Sequence, residues 1–497
     1  MNNVGLPAES SLAMLTDLYE LTMAYGFWKN DMLDTEAAFH LSFRETPFHG
    51  GFAVSCGLES VIEYIETFRF SRQDTDYLAG LNGLDGKPLF SADFLEYLRE
   101  LRLECDIDAS PEGTVVFARE PLIRVSGPIL QCQLVESALL NLVNFQTLIA
   151  TKAARVVFSA EGDQVIEFGL RRAHGVNGAL TASRASYVGG CHATSNVLAG
   201  QSYGIPVTGT LAHSWIMAFD DELEAFDAYA RAQPNNTILL VDTYNSIEGV
   251  RKAIEIGRRL RRTGHDLAGI RLDSGDLAWL SRQARMILDE NGFENTAIAA
   301  TNDLDESIIA SLKQQHAAVN LWGVGTRLVT AYDQPALGGV YKLSAVRKPG
   351  GEWKYRVKLS EQAAKTSTPG VLQIRRFERK GAFIGDMVYD IMSPPEGQPL
   401  MLDPLDATRR KVFDLAHTTS TDLLIPIFRK GHRVYDSPRL DDIRAHASDQ
   451  LNHLDPGIRR LVNPHEYPVG FEEKLHALRT QLILEGRGLR SARLEKT

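Results

Sequence analysis

From about Val165 to Leu343, short apolar runs alternate with amphipathic segments long enough to be helices, and nothing else in the chain constrains its fold as strongly. The runs are VIEFG from Val165, IPVTGT from Ile205, TILLVDT from Thr237, AGIRLDSG from Ala268, TAIAATND from Thr296 and VNLWGVGT from Val319. Each closes in Gly, Asp or Thr, and four of them return at roughly thirty-residue intervals, the grammar of parallel strands covered by helices. A parallel β/α barrel fits this rhythm best, and a doubly wound sheet shares the same periodicity. In either fold the groups that close the runs gather where strands end and loops begin, so reactive residues are expected there.

Other segments are patterned differently. Leu12, Leu15, Leu18, Leu21 and Tyr25 recur at helical spacing, predicting an amphipathic helix from Glu9 to about Lys29. Residues 51–100 read as mainly helical, and Cys105 to Leu130 as short strands broken by Pro and Gly. A long apolar helix is predicted from about Gln131 to Ala154, buried between domains. After Leu343, short strands are punctuated by Lys348-Pro349-Gly350-Gly351, Thr368-Pro369-Gly370 and Ser393-Pro394-Pro395, and the tail from Ser437 is charged and helical. The expected organisation is an N-terminal α+β domain (1–130), a β/α barrel (131–345), a β-containing segment packing on the N-terminal domain (346–436) and a helical C-terminal extension (437–497).

Composition narrows the function. With 497 residues, 44% of them hydrophobic, the chain can bury a large core. A net charge of -10 and the lack of any block of like charges argue against a nucleic-acid binder. There is no leader-like N-terminus and no apolar run of membrane-spanning length, so a cytoplasmic protein without membrane contact is expected. Cys56, Cys105, Cys132 and Cys191 are widely spaced and read as reduced, structural thiols, and Cys191-His192 is a poor zinc pattern.

Candidate chemistry is densest between Glu167 and Asn196. Arg171, Arg172 and Arg184 lie there with His174 and five glycines, a composition suited to polyanionic phosphate, because guanidinium forks grip phosphate oxygens and glycine exposes main-chain N–H groups. Gly323-Val324-Gly325-Thr326 offers a second anion site at a strand end. Asp242-Thr243-Tyr244, Asp273-Ser274-Gly275-Asp276 and Asn302-Asp303 place several carboxylates on the same side, able to hold Mg²⁺ on a pyrophosphate or to order an arginine. Asp276 reads as the cap of the helix from Leu277. His213, just past the run from Ile205, can act as acid, base or nucleophile.

Taken together, these motifs resemble the nicotinate phosphoribosyltransferases. The resemblance is carried by Thr16-Asp17-Leu18-Tyr19, Phe43-Arg44 with Pro47-Phe48, Glu167-Phe168-Gly169-Leu170-Arg171-Arg172-Ala173, Thr194-Ser195-Asn196-Val197-Leu198-Ala199-Gly200, Gly209-Thr210-Leu211-Ala212-His213-Ser214, Arg271-Leu272-Asp273-Ser274-Gly275-Asp276, and Leu337-Gly338-Gly339-Val340-Tyr341-Lys342. It implies an irregular β/α barrel of the type II phosphoribosyltransferases, working as a homodimer. The reaction it implies joins nicotinate to phosphoribosyl pyrophosphate, with Mg²⁺ as cofactor and ATP as co-substrate. By that likeness Tyr19, supplied by the partner subunit, stacks on the nicotinate ring, Arg271 and Thr210 lie near its carboxylate, and Gly325 and Thr326 hold the 5-phosphate. Arg171, Asp242 and Asp273 contact ribose, pyrophosphate or Mg²⁺, Ser214 joins the substrate-binding residues, and His213 is the histidine phosphorylated from ATP. A nicotinamide phosphoribosyltransferase on the same fold and a non-catalytic phosphosugar-binding protein are the alternatives.

Overall fold

A computed structural model describes residues 12–362 and 365–489, which form two compact units, one of residues 149–335 and one of residues up to 148 together with those from 336 onward. The start of the predicted opening helix, Glu9 to Ser11, lies outside the described residues. Leu12–Met14 forms a 3-10 turn and the α-helix runs Leu18–Lys29.

The 149–335 unit is the predicted barrel. Its strands are Gln164–Glu167, Ala193–Thr194, Ile238–Leu240, Gly269–Leu272, Ala297–Ala300 and Leu321–Val324, all parallel. Leu321–Val324, the last strand, pairs with Gln164–Glu167, the first, so the sheet curls back on itself. That pairing separates the two folds the periodicity left open and makes the unit an irregular β/α barrel. The run from Ile205 is no full strand: Val207 makes a lone parallel bridge to Thr194, through the Thr194 N–H to Pro206 O at 3.0 Å and the Thr208 N–H to Thr194 O at 3.1 Å. Pro206 has no N–H to extend a ladder. Among the described residues nothing joins this segment to Ile238–Leu240, so the barrel has a seam.

Both faces of the sheet are covered. Leu239, Leu240, Ile270, Leu272, Ile298, Trp322 and Val324 are fully buried, which explains the unbroken apolar runs. The helix Ser246–Arg262 buries Val250, Ala253, Ile254, Gly257 and Leu260 and turns its arginines outward. A side chain at Gly249 would collide with the Val241 carbonyl, so glycine is what lets this helix lie against the strand end that carries Asp242.

The other unit holds two large sheets and a small two-stranded one, Ala53–Val54 with Val115–Val116. A seven-stranded antiparallel sheet runs Lys354–Tyr355, Gly339–Arg347, Glu36–Phe43, Ile123–Pro128, Asp106–Ala109, Ile425–Arg429 and His432–Arg433. A six-stranded sheet is centred on Ala382–Asp390, flanked by Leu372–Arg379 and by Val469–Glu472. The tail therefore supplies a strand as well as its helices Leu440–Asn452 and Glu473–Gly486. The long helix is split at Val135 into Ile129–Leu134 and Glu136–Ser159. All four cysteines are buried thiols. Among the described residues no helix is long and apolar enough to cross a membrane.

His40 shows how tightly the first sheet is specified. It is buried; its Nε2 accepts the Leu372 N–H at 3.0 Å and its Nδ1 lies 2.9 Å from the Ser344 hydroxyl, which itself donates to Ala38 O. Both ring nitrogens are satisfied only in the neutral form, and burial, reinforced by the nearby Arg124, holds the imidazole well below the usual histidine range. An unfolded histidine titrates near pH ~6.5, so His40 contributes stability that is complete above that value and is lost as pH falls below it, by at most about 1.4 kcal/mol per pH unit. His40→Gln keeps an acceptor for Leu372 and a donor for Ser344. In thermal melts from pH 8 to pH 5 it should show a shallower acid-side loss than the parent, and equal slopes would show that His40 is not the group responsible.

Candidate active site

The C-terminal strand ends of the barrel converge as the parallel fold requires. After Ile238–Leu240 comes Asp242, whose side chain is almost fully buried. Its Oδ2 accepts the Asp273 N–H and the Ser274 hydroxyl, each at 2.8 Å, tying two neighbouring loops together. Its Oδ1 is buried and has no hydrogen-bond partner among the described residues. Asp273 accepts the Thr301 hydroxyl on Oδ1 and turns Oδ2 toward His213.

His213 opens the short helix His213–Met217. Trp215 fixes that helix, since its Nε1 donates to Ala225 O at 3.0 Å and its ring packs on Phe219 and Tyr229. The imidazole Nδ1 lies 3.0 Å from the Thr243 hydroxyl, while Nε2 faces Asp273 Oδ2 at 3.7 Å and Asp242 Oδ1 at 4.0 Å. Those last two distances are too long for hydrogen bonds and leave Nε2 free to react. Ser214 is exposed on the next residue of the same helix.

Arg271 points its Nη1 at the Thr210 hydroxyl and has a buried, unpartnered Nε. No carboxylate is in ion-pair contact with it among the described residues. Burial draws its guanidinium below the usual arginine range; Asp273 and Asp242 oppose that, and Arg171 adds to it. Arg171 thus acts on the same cluster, from the 3-10 turn Leu170–Arg172. Arg171 and Arg172 are exposed, whereas Arg184 is buried in the helix Gly175–Val188. The strand pairing of Val324 with Glu167 sets Gly325 and Thr326 beside this turn. Only a four-residue helix, Thr326–Val329, follows Gly325. Asp276 caps the next helix, accepting the Trp279 N–H at 2.9 Å, as its position before Leu277 predicts. His192 gives its Nδ1 to the Val165 N–H at 3.1 Å, a structural use of that ring.

Tyr19 belongs to the other unit. It is exposed on the helix Leu18–Lys29, and its hydroxyl is pushed up to about 12 by partial burial and by the charges of Glu136, Glu20 and Asp17. The same unit contains a cavity of about 80 Å³ lined by Arg44, Arg119, Lys342, Lys365 and Arg479 and, among the described residues, by no acidic side chain. Arg479 is buried and spends its guanidinium on the carbonyls of Thr366, Ser367 and Pro404. Five cations without a carboxylate suit a polyphosphate.

Family models described as the N-terminal domain, the family and the C-terminal domain of nicotinate phosphoribosyltransferase match residues 14–144, 164–372 and 373–479. The chain belongs to the nicotinate phosphoribosyltransferase family. It is 40% identical over 489 residues to the nicotinate phosphoribosyltransferase of Bacillus subtilis (strain 168), covering 96% of each chain. It is 35% identical to the human one, covering 94% of this chain and 95% of the relative. The crystal structure of human nicotinic acid phosphoribosyltransferase matches with a TM-score of 0.82 at 33% identity, over 94% of this chain and 99% of that one.

For this nicotinate phosphoribosyltransferase family member, the structure gathers His213, Asp242 and Asp273 into one contact network and sets the Arg271–Thr210 pair within electrostatic reach of its carboxylates. Sequence reasoning missed Thr243 and Thr301, which orient His213 and Asp273, although both close strand runs and are legible as such. It also assigned no role to Arg44 and Lys342, whose motifs sit on paired strands, Phe43 opposite Gly339. Asp242→Asn tests the network. Its oxygen must stay with the Asp273 N–H and the Ser274 hydroxyl, so the amide faces His213 and the charge there is lost. Turnover efficiency should fall on the order of 100-fold while the melting temperature barely moves; a matching collapse of the melting temperature would make Asp242 a purely structural residue.

Proposed function

We propose that this enzyme forms nicotinate mononucleotide and pyrophosphate from nicotinate and 5-phosphoribosyl 1-pyrophosphate, in NAD biosynthesis, and that it couples ATP hydrolysis through a phosphate on His213. The observation that carries the substrate choice is Arg271, a shielded guanidinium with a hydroxyl partner and no ion pair. A nicotinate carboxylate would complete it. Neutral nicotinamide would leave a buried charge unpaired, a penalty of about 3 kcal/mol or more, which amounts to roughly 100-fold or greater discrimination.

The chemistry follows from charge. The pyridine nitrogen attacks the anomeric carbon, the bond to the pyrophosphate oxygen breaks, and positive charge develops on the sugar in between. Arg171 would meet the phosphosugar beside Gly325 and Thr326, whose amide and hydroxyl suit the 5-phosphate. Asp242 Oδ1 and Asp273 Oδ2 carry no hydrogen-bond donor and fit a bound Mg²⁺, which when present neutralises the leaving pyrophosphate. The Nδ1–H tautomer of His213, donating to Thr243, leaves the Nε2 lone pair to attack the γ-phosphate of ATP. The nitrogen–phosphorus bond forms as the bond to ADP breaks, and water later releases the phosphate. The exposed apolar residues Leu18, Tyr19 and Met23 of the helix Leu18–Lys29, with Leu15 just before it, support a homodimer in which the partner subunit's Tyr19 covers the nicotinate ring.

Pyrophosphate release by the purified protein tests this reading. With phosphoribosyl pyrophosphate and Mg²⁺, release is expected with nicotinate and not with nicotinamide. ATP should stimulate it, and His213→Ala should abolish the stimulation. Release with nicotinamide alone would reassign the substrate, and silence with both would leave a phosphosugar-binding protein.

A further inference from the structure

Glu167 is buried, yet no cation is paired with it among the described residues. Its Oε1 accepts the Gly169 N–H, and its Oε2 accepts the hydroxyls of Ser183 at 2.8 Å and Thr194 at 2.6 Å. Asn196 closes the cluster, donating its amide to Ser183 Oγ at 3.2 Å and its main-chain N–H to Thr194 Oγ1 at 3.0 Å. A buried carboxylate without a cation is expensive to keep, and packing alone would be served by an apolar side chain.

All three donors border one feature. Gly169 begins the turn that presents Arg171, Ser183 lies on the helix that follows the turn, and Thr194 ends the neighbouring strand. Gly169 is also wedged: a side chain there would collide with Val329, on the turn that starts at Thr326, and would come within 2.9 Å of Glu167 Oε1. Any shift of Gly169 therefore moves Arg171 and disturbs the packing behind Thr326.

We infer that Glu167 is a positioning residue for the phosphosugar: its carboxylate locks the Gly169 turn so that Arg171 and Thr326 are held in mutual register before substrate arrives. Ionised, it accepts from three donors at once. This inference rests on Arg171 and Thr326 contacting phosphoribosyl pyrophosphate.

Steady-state kinetics with each substrate varied in turn tests it. Glu167→Ala should raise KM for phosphoribosyl pyrophosphate about tenfold and leave KM for nicotinate within about threefold. Glu167→Gln should restore most of the loss, since its oxygen can accept from Gly169 and its amide can donate to the two hydroxyls. On an Arg171→Ala background, Glu167→Ala should add less than about threefold, because the group it positions is gone. Equal rises in both KM values, or full multiplicative effects in the double variant, would overturn the inference. If Glu167→Ala does not fold, Thr194→Val decides: an unchanged KM for phosphoribosyl pyrophosphate overturns it and a selective rise supports it. The underlying reading is checked separately by Arg171→Ala and Thr326→Ala alone. No effect of either on that KM removes the assumed contacts, whereas an effect there without one from Glu167→Ala refutes only the positioning role.

Discussion

The pairing of Leu321–Val324 with Gln164–Glu167 is the contact on which the site depends. It joins the last strand of the barrel to the first and thereby sets Gly325 and Thr326, just after Val324, against the arginine-bearing turn after Glu167. Because every strand in the sheet is parallel, the loops after Leu240, Leu272 and Ala300 open on the same side. Direction and closure together bring distant segments into one network without any one of them being unusual.

Within that frame, the polar groups are held by hydroxyls more than by opposite charges. Thr243 holds His213, Thr301 holds Asp273, Thr210 meets Arg271, and Ser183 and Thr194 hold Glu167. A hydroxyl orients a charged group and leaves its charge uncancelled, whereas an ion pair would spend that charge inside the protein. Arg271 and the Asp242–Asp273 pair thus keep electrostatic capacity for an anion and a cation that come from outside. The cavity lined by Arg44, Arg119, Lys342, Lys365 and Arg479 follows the same logic with positive charge alone.

Much of this was legible in the amino-acid order, for physical reasons. Buried parallel strands demand continuous apolar runs, and the residues that end them are the ones free to do chemistry; Asp242, Asp273 and Thr326 were visible on that ground. Asp276 was readable as a cap because the preference for carboxylates at helix starts is local. The run from Ile205 misled because its apolar residues are not all buried: Val207 is exposed, and Pro206 has no N–H to extend a ladder beyond the single bridge. The strand Val469–Glu472 was hidden among prolines and charged helices, since its partners Ala382–Asp390 and Leu400–Leu402 lie far away in sequence. The basic cavity escaped for the same reason: Arg44, Lys342 and Arg479 are drawn together only by strand pairing and the return of the tail. Glu167 was noticed as part of a motif, but its three donors come from three elements.

The seam between Val207 and Ile238–Leu240 gives the site a built-in asymmetry. Residues after Leu272 and Val324 are anchored by ladders on both sides and those after Leu240 by a ladder on one, whereas Thr208 to His213 follow a single bridge and are held by side-chain bonds at Thr210 and His213 and by Trp215. Segments with few backbone bonds open at low free-energy cost compared with a ladder interior. The barrel is therefore held more firmly around Asp273 and Thr326 than around His213. One wall of the site is thus held less tightly than the rest, because the ladder of the barrel stops at the seam.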